Sequence, residues 1–170
     1  KNAEVFENSM SSEAVTITVK PSPEKNKPAS FNGATGHFSI SASLMKTEIP
    51  KNEEAWVELT ITGKGNFLQL TARAIQWPSG MEAFDAGSTD KLDKTKIPLA
   101  GSRSFRYPFV CAAEGEYVVP AIEFSFFDTD SNRYKTVSTK PVQFVVKGEA
   151  AKKEIKAIKK NSISSINSRA

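Results

Sequence analysis

One stretch, Gly115-Glu-Tyr-Val-Val-Pro-Ala-Ile-Glu-Phe-Ser-Phe-Phe-Asp128, constrains the fold more than any other. Preceded by Ala113-Glu114, Tyr117 has the spacing of a tyrosine corner, in which the hydroxyl bonds back to the backbone a few residues upstream. Pro120 divides the stretch, because proline lacks a donor and restricts its predecessor. The reading is two paired segments, Tyr117–Val119 and Ile122–Phe127, with a kink between them. Asp128-Thr-Asp-Ser-Asn132 then supplies turn chemistry.

Strands are expected to pack around this stretch. Phe38, Ile40, Ala42 and Leu44 alternate with Ser39, Ser41 and Ser43, the pattern of a strand with one wet face. The strand is preceded by a glycine-rich turn over Phe31–Phe38. Lys46 to Glu54 reads as a polar break, and Val57, Leu59 and Ile61 alternate again. Gly63-Lys-Gly-Asn66 reads as a turn, since Gly and Asn tolerate positive φ. Phe67–Leu70 and Ala74–Trp77 form a less regular region, Met81–Phe84 a short edge piece, and Asp85–Lys96 a long surface loop. Phe105, Tyr107 and Phe109 make the next strand, where Pro108 points to an edge or a bulge. Tyr134–Val137 and Val142–Val146 read as one last strand interrupted by Pro141.

Strands recurring about every ten residues, with no helical period before Gly148, predict an all-β fold, an immunoglobulin-like antiparallel β-sandwich. Val119 stands where an antibody domain has its second Cys. From Glu149 to Lys160 the pattern changes: Ala151, Ile155 and Ile158 share a face among lysines, predicting a short C-terminal basic helix. The expected organisation is residues 1–28, a tail strand (Val15–Val19) of a preceding domain plus a Pro-rich linker; residues 29–147, the sandwich; and residues 148–170, a basic amphipathic helix and disordered tail. A chain beginning at Lys1 without a start Met or a signal pattern reads as a mature or excised piece.

Charge narrows the function. The net charge is +4, and residues 148–170, with six basic against two acidic residues, account for all of it. The predicted sandwich has no basic excess, so nucleic acid is not an expected partner. The single cysteine, Cys111, cannot form an internal disulfide and reads as a buried small apolar residue.

No catalytic set is expected. His37 is the only histidine, and no GxSxG elbow or HExxH helix is present. Asp128, Asp130 and Asn132 match the start of a calcium loop, but Arg133 stands where that loop needs Gly and Thr139 where it needs Glu. A hairpin turn explains the same residues, so no metal and no cofactor are predicted. Trp77, Met81 and Phe84 flank a Pro-Ser-Gly turn and are the candidate partner-binding patch, weighed against a core or edge-covering role; Trp56, out of phase with Val57, is a candidate for the outer face.

Several motifs together resemble the BatD aerotolerance, or oxygen-tolerance, family. They are Lys27-Pro-Ala-Ser-Phe-Asn-Gly-Ala-Thr-Gly-His-Phe38, Thr62-Gly-Lys-Gly-Asn66, Trp77-Pro78 with Glu82, and Gly101-Ser102 with Phe105 and Tyr107. Gly115–Asp128, Tyr134-Lys-Thr136, Ser138-Thr139 and Pro141 complete the series, and Thr35 departs from the family pattern, which has Val there. The resemblance implies Ig-like modules on the periplasmic side, anchored by a membrane helix outside this chain. It also implies envelope partners: von Willebrand type A and tetratricopeptide proteins, with a MoxR-type ATPase. The expectation is a non-enzymatic protein–protein interaction module. The alternatives are a carbohydrate-binding β-sandwich using Trp56, Trp77 or Phe84, and a structural spacer.

Overall fold

The computed structural model describes residues 7–149. The alternating run around Phe38 is the centre of a long strand, β1 (Phe31–Leu44), with Phe38 buried, Ile40, Ala42 and Leu44 half-buried, and Ser39, Ser41 and Ser43 exposed. It pairs antiparallel with β3 (Glu54–Gly65), setting Ile40 opposite Ile61, Ala42 opposite Leu59 and Leu44 opposite Val57. Between them, β2 (Glu48–Lys51) occupies the supposed polar break. Gly63 and Gly65 belong to β3 rather than to a turn. A Cβ on Gly63 would lie 1.9 Å from the His37 carbonyl oxygen, so here glycine permits close approach of two backbones.

After a 3₁₀ turn (Phe67–Gln69), residues 70–78 run without regular structure to β4 (Met81–Ala83). The expected loop contains β5 (Gly87–Asp93), a mostly exposed edge strand held to β6 (Ala100–Cys111) by backbone pairing. Apart from Gly87 and a single apolar residue, Leu92, its residues are polar, so alternation could not reveal it. β6 is internal, between β3 and a split edge made by β4 and β5. Pro108 falls at the split, where its carbonyl accepts the Phe84 N–H at 2.9 Å. Its missing donor therefore faces no paired strand.

The divided stretch crosses between sheets. β7 (Gly115–Val119) lies in a three-stranded sheet of order β2-β10-β7, whereas β8 (Glu123–Asp128) lies in the seven-stranded sheet beside β1 and β9 (Arg133–Ser138). The supposed last strand crosses too: β9 and β10 (Val142–Glu149) belong to different sheets. The crossings clasp each other, for Ile122 N–H donates to Thr139 Oγ1 at 3.0 Å and Thr139 N–H to Ile122 O at 3.0 Å. The tyrosine corner forms as expected, with Tyr117 Oη donating to Ala113 O at 3.0 Å.

Two cores result. Phe38, Leu59, Ile61, Phe67, Phe105, Phe124 and Phe126 build one, with the Phe38 ring edge-on to Phe67, Phe124 and Phe126. Ile49, Val57, Phe109, Cys111, Val119, Phe144 and Val146 build the other. Cys111 is buried as expected, and burial pushes its thiol pKa up.

The expected fold class needs correction. The protein is mostly β in two sheets, but they are mixed: β1 pairs parallel with β8, and β2 parallel with β10. There is no α-helix among the described residues. Glu149, the expected start of the basic helix, is the last residue of β10, because pairing of Val146 with Ile49 and of Glu149 with Lys51 carries the strand onward. The rest of the basic segment and the tail lie outside the described residues. Val15–Val19 pairs with no strand among the described residues and leaves Val15, Ile17 and Val19 exposed.

Candidate interaction surfaces

Trp77, Met81 and Phe84 differ in exposure. Trp77 is half-buried, packs against both cores and tilts over Phe109 at 5.8 Å. Met81 opens β4 opposite Cys111 and packs on the second core. Phe84 alone is an exposed large hydrophobic, 50% accessible.

Trp56 lies on the face of β3 opposite Val57, and the Arg106 guanidinium sits 4.8 Å from its ring centre. It helps line a groove of about 270 Å³ with Leu44, Met45, Ile49, Pro50 and Ala55. Lys46, Glu53 and Glu54 contribute its charged lining. Met45 is largely exposed there, and Trp56 Nε1 is buried without a hydrogen-bond partner.

The lone histidine meets the hairpin turn. His37 Nδ1 lies 3.5 Å from Asp128 Oδ1, and Nε2 lies 3.1 Å from Asp130 Oδ2. Asp128 is buried, pairs with Lys135, and accepts the N–H groups of Asp130 at 2.9 Å and Ser131 at 3.2 Å. Lys135, with those N–H groups, holds its carboxyl well below the usual range. Thus the Asp128–Asn132 segment is a side-chain-braced hairpin turn with Asn132 at positive φ. No Ser, Thr or Cys side chain joins His37 among the described residues. No group of three or more His, Cys, Asp or Glu residues among the described residues is placed to hold a metal.

Sequence reasoning missed two arginines. Arg103 forms a fork to Asp90, with Nε to Oδ1 at 2.6 Å and Nη2 to Oδ2 at 2.7 Å, while Nη1 donates to Phe67 O at 2.7 Å and Leu70 O at 2.9 Å. Arg73 differs. Its Nη1 donates to Ser30 O at 3.1 Å, its guanidinium lies 4.9 Å from the Phe124 ring centre, and its Nε is buried with no partner. It forms no ion pair with a described residue, and burial lowers its pKa. Arg73 lines a cleft of about 420 Å³ between residues 73–76 and 120–123, with Glu123 also in its wall. Nothing in the sequence marks Arg73, because its isolation depends on what folding brings near it.

A family model described as "BatD DUF11 like domain" matches residues 42–146, more than half of the chain. The chain belongs to the BatD family. The match runs from Ala42 in β1 to Val146 in β10, so it takes in both crossings, the whole of the second core and the first core apart from Ala34 and Phe38 on β1. No curated protein matches the chain. No helix among the described residues is long and apolar enough to cross a membrane.

Proposed function

We propose that this BatD domain is a non-enzymatic protein–protein interaction module of a membrane-anchored protein, standing on the periplasmic side of the envelope and serving oxygen or stress tolerance. The family match over residues 42–146 is the observation that carries the reading. Its partners would be the von Willebrand type A and tetratricopeptide proteins that the family resemblance implies. Val15–Val19, which alternates in sequence like a strand but is exposed and unpaired among the described residues, fits the tail strand of a preceding domain joined through the Pro-rich linker.

Surfaces suited to partners support this reading. The groove beside Trp56 is apolar with a charged margin, the composition of an interface centre and rim. Carbohydrate binding is less well supported, because Trp77 packs into both cores and Arg106 stacks on Trp56, so neither is a free flat platform. Co-purification of the tagged chain with the proposed envelope partners tests the proposal. Retention of a von Willebrand type A or tetratricopeptide protein is expected; its absence with this chain and with longer ones containing it would count against the reading.

A further inference from the structure

We infer that the cleft between residues 73–76 and 120–123 receives an extended segment of a partner protein and takes one of its acidic side chains against Arg73. This rests on the interaction-module reading and gives it a site and a partner chemistry. A cation withdrawn from water is costly unless paired. Arg73 is partly withdrawn, its one side-chain hydrogen bond goes from Nη1 to a neutral carbonyl, and its Nη2, unlike the buried Nε, is not sealed off and makes no hydrogen bond among the described residues. A carboxylate matches a guanidinium in charge and in planar fork geometry.

The backbone along the cleft is also unpaired. Ala74, Ile75 and Gln76 make no backbone–backbone hydrogen bond among the described residues, nor do Pro120 and Ala121 opposite. Ile122 is already engaged by Thr139. Unpaired backbone beside an open slot accepts an extended peptide by main-chain bonding. Glu123 narrows the choice further. A carboxylate in the same wall disfavours phosphate or a run of acids, so one acidic side chain flanked by uncharged residues fits best.

The test titrates the isotope-labelled 170-residue chain with the capped hexapeptide Val-Thr-Glu-Val-Thr-Val, its Gln counterpart, and acetate, followed by NMR. Saturable shifts are expected at the Arg73 Nε–H and the Ala74–Gln76 amides, with the Gln peptide about tenfold weaker. Arg73→Lys should weaken the Glu peptide roughly fivefold by losing the fork, and Glu123→Gln should tighten it about threefold by removing repulsion. Glu123 is exposed, so that variant reports even if changes at Arg73 disturb folding. Equal affinity for both peptides overturns the inference, as does binding that leaves Arg73–Gln76 unmoved. Acetate saturating the cleft at the peptide's concentration also overturns it, indicating a small-acid site. Envelope partners captured equally by wild type and Arg73→Lys would remove the cleft and leave the module reading standing. Peptide discrimination without any envelope partner would remove the module reading alone.

Discussion

Arg103, on β6, and Arg73, within the irregular segment 70–78, have opposite surroundings. Arg103 directs its fork to Asp90 and its remaining terminal nitrogen to two carbonyls, fastening the 3₁₀ turn to β5 and β6. Arg73 has a comparable need for partners and finds one carbonyl and an aromatic face. The difference separates architecture from surface function. A polar group whose needs are met within the chain holds the fold, while one left unmet beside a cleft is available to something outside it.

Substitutions can break or sharpen that contrast. Arg103→Gln removes the charge-assisted bonds to the Phe67 and Leu70 carbonyls, and should cost about 3 kcal/mol in denaturant unfolding. Thr139→Val leaves the Ile122 N–H unpaired at the wall of the Arg73 cleft; about 2 kcal/mol should be lost, with the cleft amides shifting in NMR spectra. Asp90→Asn should cost no more than about 1 kcal/mol at neutral pH, since Asp90 is substantially exposed and screened. Its hydrogen bond to Arg103 lowers the Asp90 pKa, so the wild-type advantage is complete above the ordinary Asp value of about 3.9 and disappears as pH falls through the lowered one. Acid unfolding curves of the two proteins should therefore converge. Smallest of all, Arg73→Gln should change stability by about 0.5 kcal/mol or less, because it removes an unpaired charge along with one hydrogen bond. A loss matching that of Arg103→Gln would make Arg73 a structural residue and dissolve the contrast.

The same distinction explains what could be read in advance. Phe38, Val57, Leu59, Ile61, Phe105 and Phe109 declare their strands because one face of each strand is buried, and Tyr117 declares its corner by local spacing. β5 escaped notice because its stability comes from backbone pairing with β6, which a run such as Gly87-Ser-Thr-Asp-Lys91 does not advertise. Parallel pairing, and the return of β9 and β10 to different sheets, depend on contacts far apart in sequence. Gly63 and Gly65 carry the sequence signature of a turn, because glycine serves turns as well as the close approach of two backbones found here. Arg73 was silent because the informative fact about it is a missing neighbour.

The Gly115–Asp128 stretch joins the two halves of this account. It builds the tyrosine corner, crosses between sheets at Pro120, and forms one wall of the cleft before entering β8. Fold and proposed surface therefore share a short piece of chain.

The most direct measurement is calorimetric titration of the chain with a purified von Willebrand type A domain, the proposed partner, repeated with Arg73→Gln and with Tyr117→Phe. Saturable binding of roughly micromolar affinity is predicted, weakened about tenfold by Arg73→Gln and unchanged by Tyr117→Phe, whose hydroxyl bonds only within the corner. Absence of heat with that partner and with the tetratricopeptide protein, or equal affinity for all three chains, would contradict the account.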